Sequence, residues 1–194
     1  QKTTYLLVVA TIPTVIAALL FSDIIDQTFG TGNYIGINFM ITAAILLYAD
    51  TRKKGFKKIK DMAYSDAVVI GVMQGIAICP AISRSGMTIS GALARNLNRN
   101  SAARFSFLLS IPAILGAMTL TLKDIVTGAD PGLAEIGALP IIVGFIFAAV
   151  SGFLAIKFMI SVVNRGKLKY FSLYVFILGI LLTIDQFATH IIYA

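Results

Sequence analysis

Hydrophobic and polar positions along this chain fall in long blocks rather than in the short periods of a soluble fold. Uncharged, predominantly apolar runs cover residues 4–22, 32–49, 105–122, 136–156 and 170–184, each near the ~20 residues a helix needs to cross a hydrocarbon core ~30 Å thick. The pattern predicts an all-α integral membrane protein, a single polytopic domain over residues 1–194 with about five transmembrane helices. The last run continues into Asp185 and Gln186, which places its end in the headgroup region, and Lys157 near the end of the fourth can snorkel to an interface.

The polar blocks between the runs alternate in sign. Asp23 and Asp26 follow the first run; Arg52, Lys53, Lys54, Lys57, Lys58 and Lys60 follow the second; Asp124, Asp130 and Glu135 lie beyond the third; Arg165, Lys167 and Lys169 follow the fourth. By the positive-inside rule the basic loops are cytoplasmic and the acidic ones face outward. Residues 67–94 then pose a problem, because the basic loop before them and Arg95, Arg99 and Arg104 after them belong on one side. At 28 residues the segment is too short to cross twice, and one crossing would separate the two basic clusters. A re-entrant helical hairpin over residues 67–97 satisfies both constraints, with arms 67–79 and 86–97 and its tip at 80–85. Non-helical backbone is tolerated at depth where protein or a water-filled cavity surrounds it. Gly71 and Gly75 on the first arm, and Gly86, Ser90 and Ala94 on the second, repeat a small residue every four, which lets helix backbones approach closely.

Composition agrees with lipid as the solvent: 58% of residues are hydrophobic and mean hydropathy is +0.89. The net charge of +7 reads as orientation rather than as a nucleic-acid surface, so no nucleic-acid partner is expected. Cys79, the only cysteine, supports neither an internal disulfide nor a structural zinc site and is expected to be a buried apolar filler. The chain opens at Gln1 and its first run lacks the basic flank of a signal peptide, so a preceding N-terminal portion is expected.

Among the sixteen Lys and Arg residues Arg84 alone falls in the middle of an otherwise uncharged stretch. A guanidinium at mid-bilayer costs roughly 2.5–3.5 kcal/mol on insertion scales, and it cannot escape by losing its proton. All nine carboxylates lie in loops or at helix ends, so no internal counter-ion is visible. An anionic ligand is one answer, because the planar fork of Arg matches phosphate oxygens. Ser83, Ser85 and Thr88 add hydroxyls, Gly86 leaves the backbone open, Pro80 ends the incoming arm, and the N-terminus of the returning helix supplies N–H groups and a partial positive charge. Other readings stay open: Ser83 or Ser85 serves only as an N-cap, or Arg84 pairs with a carboxylate from another segment or subunit. Gln74, the one amide inside the first arm, is either a site residue or a helix–helix hydrogen bonder. His190, the only histidine, lies near the C-terminus beside Tyr193 and is a weak catalytic candidate.

The string Gly71-Val-Met-Gln-Gly75, then Pro80-Ala-Ile-Ser-Arg-Ser-Gly-Met-Thr88, then Phe105-Ser-Phe-Leu-Leu-Ser-Ile-Pro112 closely resembles the undecaprenyl-diphosphate phosphatase family of the UppP or BacA type. The core of the resemblance runs from about Asp66 to Gly116. It implies an inner-membrane enzyme of two inverted-topology repeats, each with a re-entrant hairpin, that hydrolyses undecaprenyl diphosphate to the monophosphate for reuse in cell-wall synthesis. It also implies that Ser83, Arg84 and Thr88 occupy the second active-site motif, where Arg84 would hold the diphosphate; Ser85, Gly86 and Gln74 are read from the residues themselves as substrate-binding. Ala81 departs from the Gly usual between Pro and the Ser-Arg-Ser-Gly core. An earlier family motif, rich in Glu and ending in Ser and His, has no match before Gln74. Hydrolysis needs a general base and often carboxylates for a divalent cation such as Mg2+ or Ca2+; no ligands for one are visible in the embedded part of this chain.

The expected partners are a polyprenyl diphosphate and membrane lipids, with a homodimer left open. A second class of function is a transporter or flippase of polyprenyl phosphate or a small anion, in which broken helices point their N-termini at the substrate. A third is a non-catalytic membrane scaffold with a structural Arg84.

Overall fold

The computed structural model describes residues 1–21, 34–52, 55–127 and 137–189. They form α1 (Lys2–Leu20), α2 (Ile35–Thr51), α3 (Tyr64–Ile76), α4 (Arg84–Ala94), α5 (Arg99–Val126), α6 (Ala138–Asn164) and α7 (Leu168–Ile184), the last passing into a π-turn over Asp185–Thr189. Asp23, Asp26, Lys53, Lys54, Asp130, Glu135, His190 and Tyr193 lie outside the described residues.

Four helices, α1, α5, α6 and α7, are long and apolar enough to cross a membrane, and α2 is a shorter apolar helix of 17 residues. The chain is an all-α membrane protein. Several helices outrun the apolar runs that mark them. α5 begins at Arg99 because Asn98 caps it, its side chain accepting the Ser101 N–H at 2.8 Å; backbone hydrogen bonding continues a helix into the polar interface without needing apolar side chains. Lys157 is exposed on α6, about 10 Å along the axis from the end at Asn164.

Small residues set the closest helix contacts. On α3 a Cβ at Gly71 would collide with the carbonyl oxygen of Ala10, and one at Gly75 would stand 3.1 Å from Cβ of Ala17, so the expected GxxxG step packs directly onto α1. On α2 and α7, Gly36 and Gly179 interlock in the same way, and a Cβ at Gly179 would meet the Gly36 carbonyl at 2.8 Å. Ser172 of α7 donates to the carbonyl of Ala43 at 2.7 Å. The second small-residue series also works at an interface: Ser90 donates to the carbonyl of Gly86 within α4 and reaches that of Ile45 on α2.

Charged groups tie the helix ends together at the basic face. Asp66 is fully buried at the start of α3, 2.7 Å from Arg95 Nε and 3.1 Å from Lys57 Nζ, and accepts the Ala63 N–H at 3.0 Å. Lys57 also pairs its backbone with the loop after α4, donating to the Asn96 carbonyl and accepting from the Asn98 N–H. Arg99 donates to the carbonyl of Asp50 at 2.9 Å and reaches those of Arg52 and Val163, while the Asp50 carboxylate accepts the Leu168 N–H at 3.1 Å. These contacts join the ends of α2, α5, α6 and α7.

α3 and α4 run antiparallel, as the Asp66–Arg95 pair at their open end requires. The arms sit earlier in sequence than the pattern suggests. α3 ends at Ile76, capped by Ala77, rather than running on to the residue before Pro80, and α4 starts at Arg84 because Ser83 is its N-cap, rather than at Gly86.

Candidate functional site

The tip between α3 and α4 is held by two polar side chains one turn apart on α2. Asn38 donates to the carbonyl of Pro80 at 2.9 Å. Thr42 donates to the carbonyl of Ala81 at 3.0 Å and accepts the Ser83 N–H at 3.0 Å. An irregular backbone buried in an apolar bundle needs such partners for its carbonyls and N–H groups. Neither residue was singled out by sequence, although two polar positions at i and i+4 in an apolar run are the signal for it.

Ser83 then starts α4, its hydroxyl accepting the Gly86 N–H at 3.1 Å. The N-cap reading of Ser83 is thus realised, and its hydroxyl proton stays free to donate elsewhere. Arg84 becomes the first residue of the helix. α4 places it ten residues, about 15 Å along the helix axis, from Ala94.

Arg84 is half-buried and lines a cavity of about 520 Å³ together with Thr11, Thr14, Gln74, Ala77, Pro112 and Thr119. Among the described residues no hydrogen-bond or ion-pair partner meets its guanidinium. Asp66 and Asp50 are taken by the basic-face contacts above, and among the described residues no carboxylate or imidazole lines the cavity. Part of the cavity wall is fixed by Gln74, fully buried, whose Nε2 donates to Thr14 Oγ1 at 3.0 Å; that hydroxyl in turn donates to the Gly71 carbonyl. Gln74 therefore bridges α3 to α1, as its helix–helix reading expects, and also lines the Arg84 cavity. Thr14 was not anticipated.

The other residues of the motif part company with Arg84. Ser83, Ser85 and Gly86 line a separate cavity of about 440 Å³ on the opposite face of the tip, with Thr42, Phe39 and Phe171. Thr88 lines neither cavity. It is buried, with its hydroxyl between the carbonyls of Arg84 and Ser85 and the hydroxyl of Ser106, so it braces α4 against α5. Cys79 is exposed at the tip rather than buried as a filler, because α3 has already ended and the turn leaves its side chain outside the helix contacts.

With this geometry established, comparison with known proteins is decisive. The family model described as "Bacitracin resistance protein BacA" matches residues 1–181. The chain belongs to the BacA family. It is 50% identical over 183 residues to an undecaprenyl-diphosphatase of Carboxydothermus hydrogenoformans, covering 94% of this chain and 70% of that relative. It is 47% identical over 187 residues to undecaprenyl-diphosphatase 4 of Bacillus cereus, covering 96% and 71%. An undecaprenyl-diphosphatase of Halothermothrix orenii is 41% identical over 181 residues, covering 93% and 69%.

Ala81, the BacA-family chain's departure from the expected Gly, adopts φ +64°. An L-residue other than Gly is strained in this left-handed conformation by roughly 1–2 kcal/mol. Ala81→Gly is expected to stabilise the protein by about 0.5–1 kcal/mol, the relief being partly offset by the entropy Gly adds to the unfolded chain. Thermal melting of helical circular dichroism in detergent measures this; a lower midpoint would show that the tip is not strained at that residue. Among the described residues no three His, Cys, Asp or Glu side chains gather as metal ligands.

Proposed function

We propose that this chain hydrolyses undecaprenyl diphosphate to the monophosphate and phosphate in the cell (inner) membrane, recycling the lipid carrier, and that Arg84 clamps the diphosphate. The observation that carries this reading is a permanent cation that has no counter-ion among the described residues, in a cavity beside the tip of a helical hairpin. An anionic guest supplies the missing charge, and the guanidinium fork binds two phosphate oxygens at once. Placed where charge grows on the departing phosphate, the same group favours the transition state over the bound substrate. We read the α3–α4 hairpin as re-entrant, entering and leaving through the basic face, with its tip near the bilayer midplane.

Around the clamp, Gln74 and Thr14 orient the cavity wall. The N-terminus of α4 adds its partial positive charge from Arg84 onward. Ser83 supports the clamp as the N-cap of α4, its hydroxyl accepting the Gly86 N–H, while Ser85 and Gly86 line the cavity on the other face of the tip. Thr88 holds the first turn of α4 in place through the Arg84 and Ser85 carbonyls. These residues bind and stabilise charge; none of them is a general base.

A carrier of polyprenyl phosphate would show the same cavity without acid–base residues, so the two readings are separated by chemistry. Phosphate release from undecaprenyl diphosphate is measured with the purified protein in lipid nanodiscs, and release is the expected result. In parallel, movement of a labelled polyprenyl phosphate between leaflets is followed in vesicles that hold the protein. Leaflet exchange of the monophosphate without any phosphate released from the diphosphate would replace the phosphatase by the carrier.

A further inference from the structure

An almost wholly apolar groove of about 450 Å³ runs between α1 and α5, lined by Val8, Ile12, Ile111 and Leu115 among others. Three residues of its lining, Thr11, Val15 and Pro112, also line the Arg84 cavity, so the two spaces are continuous. α1 and α5 both start at the basic face: Lys2 donates to the Lys60 carbonyl, and Arg99 is held at Asp50. The groove therefore leads from the guanidinium back along α1 towards Thr4. Its side walls are open, since Val8, Ile12, Ile111 and Leu115 are each more than half exposed. Pro112 lies at the junction, inside α5, where its ring displaces the backbone and removes one helical hydrogen bond.

We infer that this groove seats the first isoprene units of the polyprenyl tail, with the diphosphate at Arg84. The inference rests on the reading of Arg84 as the phosphate clamp and adds a direction and a length to it. A phosphate held at the clamp fixes where its tail begins, and the groove is the apolar space continuous with that point. It spans about 17 Å from Thr4 to Val15 along α1, so only the head-proximal part of the tail is held and the rest lies in lipid. Sideways opening lets the substrate enter from the bilayer without passing its tail through water. Contacts made equally in the ground and transition states lower KM rather than raise kcat.

Two groove-filling variants, Val8→Trp and Ile111→Trp, are assayed with undecaprenyl diphosphate and with geranyl diphosphate, whose tail is too short to reach Val8. The expected result for Val8→Trp is a rise in KM for the long substrate of about tenfold, with kcat and the short substrate unchanged. Ile111→Trp, nearer the junction, raises KM for both. Equal values for wild type and Val8→Trp on the long substrate would overturn the groove assignment. If the variants do not fold, a diazirine placed in the second isoprene unit of the diphosphate is crosslinked to the unaltered protein. Label on the 4–16 or 111–115 peptides supports the groove, and label elsewhere overturns it. Failure of the clamp itself is distinguishable, because Arg84→Ala would then leave turnover of both chain lengths intact.

Discussion

Arg84→Ala is expected to lower phosphate release from undecaprenyl diphosphate by roughly 10³-fold or more, with the protein still inserted and folded. Removal of one preorganised donor to a developing oxyanion costs about 10²–10³-fold in kcat, and Arg84 supplies two donors and a full charge. Stability should hold or rise, because the guanidinium has no partner among the described residues and, on the proposed re-entrant placement, its removal relieves part of the roughly 2.5–3.5 kcal/mol that a cation costs at mid-bilayer. Arg84→Lys keeps the charge and loses the planar fork, and should fall between the two. The measurement is kcat and KM by phosphate release, beside a detergent melting curve for each variant. Near-normal turnover in the Ala variant would remove Arg84 from the mechanism and leave its solitary charge without an account.

Asp66→Asn should produce the largest loss of stability, roughly 2–4 kcal/mol, without touching the Arg84 cavity. The carboxylate is fully buried between Arg95 and Lys57, which are themselves part-exposed. Removing its charge leaves two cations facing each other at the open end of the hairpin, and breaking a buried pair from one side is costlier than never having formed it. Burial alone would raise the Asp66 pKa; the Ala63 N–H, the Arg95 guanidinium and the Lys57 ammonium outweigh it and hold the group below the ordinary aspartate value of 3.8. A carboxylate depressed in the folded state stabilises it at pH values above the unfolded pKa. That contribution is lost as pH falls below 3.8 through the folded value. Wild-type melting temperature should therefore drop at acid pH over a window in which Asp66→Asn, already lower, changes less. Parallel pH profiles for the two proteins would show that the cluster is not what holds the hairpin shut.

Much of this fold is legible in the residue pattern because lipid imposes a rule that sequence alone can obey. A chain that must satisfy its own backbone in hydrocarbon has to spell each helix as an uncharged run, and the five runs duly mark α1, α2, α5, α6 and α7. Gly71 and Gly75 announce a close helix contact by spacing, and the structure supplies its partner, Ala10 and Ala17 of α1. Arg84 announces itself by being charged where nothing nearby is.

Which groups stand beside Arg84 is another matter, since that depends on contacts between residues far apart in the chain. The motif reads as one cluster, yet a helix sends successive side chains to different sides, so Ser83 and Ser85 face one cavity and Arg84 another. Thr88, one turn on, points into the contact with α5 and is spent on Ser106. Gln74 and Thr14, sixty residues apart, meet only because α3 lies against α1. Asn38 and Thr42 hold the tip from a helix that carries no motif at all. Local pattern and the solvent rule decided which runs become helices and where the lone cation falls; the helix ends and the neighbours that give the cation a cavity came from capping and packing, where the free energy belongs to pairs of distant residues and to no single stretch of sequence.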